Sequence, residues 1–312
     1  MESELGMISR NGADAPDFVI LGAPKCGTTS ICDTLRSHPN VFISPIKEPH
    51  YFALDHGSGR EIQSMDEYKR LFLRAAPSQL RGEASTGYLS SERAVPELLS
   101  HRPDGKFIAV VRNPIDLLIS LHNEQIKDAA EDELSLEQAW RLQALRARGE
   151  RIPRLCRVPS DLLYEQECSL GQQVARLYDL VPAQQRLVLV FDDLVDKPAE
   201  SYAQILKFLE IPECGPLDIK HSNQFGAPRS LWLTRAIIGL QRLPPRRFLK
   251  TMRPWLHDHN IHPFTWLRSL SLKPAKKHNI SPEFRKELLD VFSDDIKLLE
   301  LTLGRQLPAW RR

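Results

Sequence analysis

The sequence predicts an α/β fold in which a central parallel β-sheet is flanked by helices. Three segments carry that expectation, each a short apolar run followed by a turn and then a stretch with helical spacing. They are Phe18–Leu21 (FVIL) closed by Gly22, Lys106–Val111 (KFIAVV) closed by Arg112, Asn113 and Pro114, and Arg186–Phe191 (RLVLVF) closed by Asp192 and Asp193. Continuous, β-branched apolar runs of this length are what strands covered on both faces require.

Taken in order, residues 1–16 are polar and end in Pro16, which reads as a flexible lead into a single domain over 17–312. After the first strand, Thr29–His38 places Ile31 and Leu35 four apart and meets Pro39, so a helix of two to three turns is expected. The second strand leads into a helix through Leu117, Leu118 and Leu121 to Ile126. Residues 127–180 are charged and helix-prone, with one helix around Leu134, Leu136, Ala139, Trp140 and Leu142 and another over Gln172–Leu180, read as layers on the sheet. The third strand is backed by Pro198–Leu209, where Tyr202, Ile205, Leu206 and Leu209 form one apolar face. Ser281 and Pro282 open a last helix in which Phe284, Leu288, Phe292, Ile296 and Leu299 keep a period near 3.6 until Gly304.

With 312 residues, 42% hydrophobic and 26% charged, the composition is that of a globular protein and excludes disordered and collagen-like classes. The net charge of +2 conceals an asymmetry. Residues 1–220 hold 25 basic and 33 acidic side chains, whereas 221–312 hold 17 and 7. Within the latter, 229–277 carries eleven Lys or Arg against Asp258 alone, a surface able to attract an anion. Five cysteines without a C-x-x-C pair indicate neither a disulfide framework nor a zinc site, and a reducing, cytoplasmic compartment is expected. No apolar run approaches 18 residues, so no membrane span is expected.

The first turn reads Gly22-Ala-Pro-Lys25-Cys26-Gly27-Thr28-Thr29-Ser30. A glycine-bearing turn ahead of a helix presents unpaired N–H groups and the positive helix end, which together cradle a phosphate. A nucleotidase P-loop carries Lys directly after its second glycine to reach the β- and γ-phosphates. Here Thr28 takes that place, and Lys25 lies two residues before Gly27. That placement suits a 5′-phosphate bearing one further anionic group rather than a triphosphate. The second turn, Arg112-Asn-Pro-Ile-Asp-Leu-Leu-Ile-Ser120, puts an arginine fork at a strand end and a hydroxyl about two helical turns later.

Together the two turns resemble the two signatures of sulfotransferases that use 3′-phosphoadenosine 5′-phosphosulfate (PAPS). The resemblance continues in Lys47-Glu48-Pro-His50-Tyr51-Phe52, Gly82-Glu83-Ala-Ser-Thr-Gly-Tyr88, the FDDL at 191–194, Asn223-Gln-Phe-Gly226-Ala-Pro228-Arg229-Ser230 and Leu303-Gly304-Arg305-Gln-Leu-Pro-Ala-Trp310, and so spans roughly 17–310. It is nearest to the branch of heparan-sulfate-type carbohydrate sulfotransferases and their bacterial relatives. The resemblance implies a P-loop-like fold and assigns the 5′-phosphosulfate to Lys25, Cys26, Gly27, Thr28, Thr29 and Ser30. It gives the 3′-phosphate to Arg112 and Ser120, and a donor-closing loop to Arg229 and Ser230. It also implies 3′-phosphoadenosine 5′-phosphate (PAP) as product. Three positions depart from relatives: Leu117 stands in place of a second arginine, His122 in place of an aromatic, and Ala84 in place of a lysine common in polysaccharide enzymes.

The implied chemistry is in-line transfer of a sulfuryl group to a hydroxyl, less favourably an amine, of a small molecule or carbohydrate. Glu48 is the expected general base and Lys25 the cation on the leaving phosphate. His50 is the alternative base, since imidazole titrates near neutrality. No metal is required by this chemistry, and no His/Cys/Asp cluster points to one. Two other classes compete: an ATP-dependent P-loop kinase, which the missing post-glycine lysine disfavours, and a non-catalytic nucleotide- or nucleic-acid-binding module built on the basic 229–277 segment. Because the phosphate turn favours a small donor, no nucleic-acid partner is expected.

Overall fold

A computed structural model describes residues 14–214, 226–228, 272–274 and 280–311. The chain divides into two compact units, one made of residues 1–118, 164–222 and 282–312 and the other of 119–163 and 223–281. The stretch 127–180 is split accordingly: 164–180 belongs to the first unit and the part before it to the second.

The first unit holds a five-stranded sheet. Strands β1 (Phe18–Gly22), β2 (Val41–Ile43), β3 (Leu80–Ala84), β4 (Lys106–Val111) and β5 (Arg186–Val190) lie in the order β2-β3-β1-β4-β5, with every pairing parallel. The three anticipated strands are β1, β4 and β5. β4 has the expected bounds, while β5 stops at Val190 and Phe191 opens a helix. Phe18, Val19, Ile20 and Leu21 are at most 2% exposed. Complete burial of such side chains contributes about 1.5–3 kcal/mol each. The sequence pattern does not announce β2, with only three residues at the sheet edge, or β3, whose LRGEA has no apolar run. β3 is held at its start by Asp17, whose carboxylate accepts the Arg81 amide at 2.6 Å and pairs with Arg102 at 2.8 Å.

The helices are α1 (Thr28–Arg36), α2 (Met65–Arg70), α3 (Ala94–His101), α4 (Pro114–Lys127), α5 (Leu136–Arg141), α6 (Gln143–Arg146), α7 (Tyr164–Cys168), α8 (Leu170–Leu180), α9 (Phe191–Asp196), α10 (Pro198–Leu209) and α11 (Pro282–Leu303). The helix expected from Leu134 starts instead at Leu136, because Ser135 caps it by accepting the Gln138 amide, and Leu134 is left 55% exposed. α11 buries Phe284, Leu288, Phe292, Ile296 and Leu299, the five positions its period picks out. From the same helix Asp295 accepts the Gly171 and Gln172 amides at 2.8 and 2.9 Å, satisfying the first turn of α8.

In the second unit, Arg146 and Glu131 form a completely buried ion pair at 2.7 Å, and Glu131 also accepts the amides of Asp132 and Glu133. A short antiparallel pair joins β6 (Gly226–Pro228) to β7 (Leu272–Pro274). Among the described residues no helix is long and apolar enough to cross a membrane.

Candidate active site

Because all five strands run the same way, their carboxyl ends share one edge of the sheet, the usual place for ligands in open α/β folds. β1 ends in the phosphate turn, β3 in Ser85 and Thr86, β4 in Arg112 and β5 in Phe191. These are the segments whose residues carry the sequence signatures.

In the phosphate turn, Gly27 caps α1 in the left-handed conformation at φ 84°, and no described side chain caps that end. A methyl group at Gly27 would stand 2.9 Å from Leu194 Cδ2 and 3.3 Å from the Phe191 ring. Glycine is therefore required twice over, by the dihedral and by the close approach of α9. Gly22, at φ 130°, packs in the same way against the Thr86 carbonyl. Lys25 also adopts a left-handed conformation, at φ 59°. Arg112 Nη1 donates to the Lys25 carbonyl at 2.9 Å, and its guanidinium lies 4.6 Å from the Phe191 ring centre. The two cations predicted to hold the donor are thus joined directly.

The other turn residues have distinct surroundings. Thr28 is buried, and the Ser30 hydroxyl is 3.2 Å from Tyr202 OH, to which Thr34 Oγ1 also donates at 3.1 Å. Cys26 is fully buried and its thiol donates to the Pro24 carbonyl. Burial pushes that thiol up to about 12 despite the opposing pull of Arg112 and Lys25, so it is no nucleophile at neutral pH. Asn113 accepts the Ile115 amide at 2.9 Å ahead of Pro114, which accounts for the Asn-Pro order: a cap and a first helical residue. Trp310 is buried and donates from its indole to Asp192 Oδ2 at 2.9 Å, fastening the segment after α11 to α9.

Glu48 and His50 lie in the loop after β2, both left-handed, at φ 61° and 51°. The Glu48 amide donates to the Ala84 carbonyl at 2.9 Å and the His50 amide to Ser85 Oγ at 3.1 Å, so the end of β3 fixes this conformation. The Glu48 carboxylate is saturated on one side. Its Oε2 accepts the Thr86 hydroxyl at 2.7 Å and amide at 3.2 Å, with His50 Nε2 at 3.0 Å, while Oε1 accepts Lys47 Nζ at 2.6 Å. Burial alone would raise its pKa, but the bonds and charges of His50 and Lys47 outweigh burial and hold the carboxyl well below the usual carboxylate range. Glu48 is therefore ionised throughout the neutral range.

Beneath this loop sits Glu83, fully buried in β3. Tyr68 OH donates to its Oε1 at 2.9 Å and Ser85 Oγ to its Oε2 at 2.8 Å. Burial pushes the Glu83 carboxyl up to about 7, against the lowering effect of Ser85, Tyr68 and Tyr88. Thr86 and the Glu83 network had no role assigned from sequence, although both fall in the Gly82–Tyr88 stretch.

Ser120 lies on α4 in the second unit, 3% exposed, and its hydroxyl has no partner among the described residues. His122 is buried nearby in sequence, its Nε2 2.8 Å from the Glu133 carbonyl, and Leu117 is fully buried. Arg229 and Ser230 lie outside the described residues, as does most of the basic 229–277 segment.

A family model described as the sulfotransferase domain matches residues 15–237. Carbohydrate sulfotransferase 15 of Mus musculus is 32% identical over 148 residues, covering 34% of this chain and 26% of that protein. Heparan sulfate glucosamine 3-O-sulfotransferase 5 of Homo sapiens is 23% identical over 223 residues, covering 70% of this chain and 60% of that protein. The chain thus spans about a quarter of the length of the first of these relatives. Among solved structures, a sulfotransferase from Alicyclobacillus acidocaldarius has a TM-score of 0.68 at 24% identity, covering 95% of this chain and 99% of its own. A mouse sulfotransferase complexed with PAP has a TM-score of 0.51 at 13% identity, covering 97% of this chain and 94% of its own. These structures share the P-loop-like arrangement of a parallel sheet with flanking helices, and with the family match over most of its length the chain belongs to the sulfotransferase family.

Proposed function

We propose that this chain transfers a sulfuryl group from PAPS to a hydroxyl, less favourably an amine, of a carbohydrate or small molecule, with Glu48 as the general base. The observation that carries the reading is the attachment of base and phosphate turn to one residue: Thr86 fixes the Glu48 carboxylate while its carbonyl backs Gly22 at the head of the turn. Family membership takes the place of the kinase and binding-module alternatives.

The residues fit such a donor. The uncapped end of α1 after Gly27, with Lys25 beside it, supports binding of the 5′-phosphosulfate by the N–H groups of Cys26–Thr29. Arg112 and Ser120, whose buried hydroxyl has no partner among the described residues, are the proposed ligands of the 3′-phosphate. Arg229 and Ser230 are proposed as further donor contacts. Bound there, the donor supplies an activated sulfur. Glu48 takes the proton of the acceptor hydroxyl as its oxygen bonds to sulfur, and the sulfur–oxygen bond to the leaving phosphate breaks. Lys25 offsets the charge growing on the oxygen that leaves with PAP. His50 keeps Oε2 of Glu48 engaged, leaving Oε1, shared with Lys47, as the side open to an incoming hydroxyl. General bases contribute about 10²- to 10⁴-fold in rate.

The acceptor class is supported by the carbohydrate sulfotransferases among the relatives, while Ala84 departs from polysaccharide enzymes. An acceptor screen with sulfur-labelled PAPS tests the reading. Label passing to saccharide or small-molecule hydroxyls supports it, whereas a chain that binds PAP yet labels none of these classes overturns the proposed acceptor.

A further inference from the structure

We infer that Glu83 is a positioning residue of the active site: through Ser85 its ionised carboxylate sets the geometry of the loop that carries Glu48 and His50. The inference rests on the proposed base, but its structural part can be tested without donor or acceptor.

The path is short. The His50 amide donates to Ser85 Oγ at 3.1 Å, and the Ser85 hydroxyl donates to Glu83 Oε2 at 2.8 Å. Tyr68 donates to the other oxygen at 2.9 Å. Tyr88, whose hydroxyl accepts the Phe52 amide at 3.2 Å, acts on the Glu83 carboxyl in the lowering direction. Glu83 thus accepts two hydroxyls, that of Tyr68 on α2 and that of Ser85 in the turn after β3. Their direction follows from its charge. An ionised carboxylate only accepts, so Ser85 must give it its proton and turn its lone pairs to the His50 amide. A protonated carboxyl must donate one bond itself, and one of the two donors has to reverse. In a buried network with no solvent to compensate, that reversal is transmitted to whatever the hydroxyl next touches.

The charged and titratable groups facing this site are few. Tyr68 and Tyr88 are held well above the usual phenol range by burial and by Glu83 itself, so they remain neutral. His50 acts on Glu83 by its charge in the lowering direction, and Arg81 acts on Tyr68. Because burial pushes Glu83 up to about 7, its charge changes at neutral pH. Glu48, held far below that range, does not titrate there.

The test uses the full chain with glutamate labelled at the δ-carbon, followed by NMR between pH 5 and 9. The carboxyl signal missing from Glu83→Gln should titrate near pH 7, and the His50 amide shift should follow with the same midpoint in the unmodified chain. In Ser85→Ala the carboxyl should still titrate while the His50 amide no longer follows it. The inference is overturned if that carboxyl does not titrate within about one unit of 7, or if the His50 amide keeps the same midpoint in Ser85→Ala. A second arm reads function with an acceptor that the screen yields: kcat should rise with pH through the same midpoint. In Glu83→Gln that limb should vanish and kcat at pH 8 fall about 10- to 100-fold, with the Kd of PAP within about two-fold of the parent. An unchanged pH limb in Glu83→Gln contradicts the inference. PAP failing to bind the unmodified chain contradicts the donor reading and leaves the NMR result standing.

Discussion

Thr86 grips one oxygen of Glu48 twice, with its hydroxyl at 2.7 Å and its amide at 3.2 Å. The bond from the backbone amide survives any substitution but proline, so the side chain can be tested alone. Thr86→Val keeps the branched shape and removes one hydrogen bond to a charge, worth about 1.5–3 kcal/mol. We expect kcat to fall roughly 10-fold, the Kd of PAP to stay unchanged by calorimetry, and Thr86→Ser to restore most of the rate.

The saturated carboxylate also separates the two candidate bases. Glu48→Gln should lower kcat by about 10²- to 10⁴-fold, with PAP binding retained. His50→Ala, which frees one lone pair of Glu48 without removing the base, should lower it by no more than about 10-fold. The two variants, compared in one assay with labelled PAPS, decide the assignment: near-normal turnover in Glu48→Gln moves the role to His50.

Arg112 is positioned by the Lys25 carbonyl and the Phe191 ring, neither of which a lysine reproduces. Arg112→Lys should therefore weaken PAP by about 10-fold or more. The Kd of adenosine 5′-phosphate, which lacks the 3′-phosphate, should change by less than about three-fold. Equal weakening of both nucleotides would mean that Arg112 supports the 5′ turn and not the 3′-phosphate.

Glu83 binds its proton more tightly when folded than when unfolded, since burial raises its carboxyl from 4.5 to about 7. Between those two values the folded state holds the extra proton, so this group's contribution to stability declines as pH rises through that window and levels off above about 7. Its full span is roughly 3 kcal/mol. Urea unfolding of the unmodified chain and of Glu83→Gln should show the difference as a stability gap that moves in favour of the glutamine variant from pH 5 to pH 8. A gap independent of pH would place the Glu83 carboxyl at an ordinary value.

Much of this architecture is legible in the sequence because its central strands must be covered on both faces. FVIL, KFIAVV and RLVLVF have no other home, and the period of Phe284 to Leu299 marks α11 residue by residue. β2 and β3 escape notice because one is short and at the edge and the other carries Arg81 and Glu83, whose partners come from distant segments. The phosphate turn is legible for a related reason: its glycines, lysine and hydroxyls lie in one contiguous stretch of fixed spacing. The setting of Glu48 and His50 is not, since it depends on bonds from their amides to the Ala84 carbonyl and the Ser85 hydroxyl, made across about 36 residues of chain. No local pattern around Lys47–Phe52 reveals that Thr86 completes it.

The turn around Lys25 and the fork of Arg112 are proposed to form a site for a nucleotide with phosphates at both 5′ and 3′ positions. Calorimetric titration of the full chain with PAP and with ATP tests it most directly. PAP should bind saturably and one-to-one, and ATP at least about 10-fold more weakly, a difference of about 1.4 kcal/mol. Binding of ATP with no binding of PAP would contradict it.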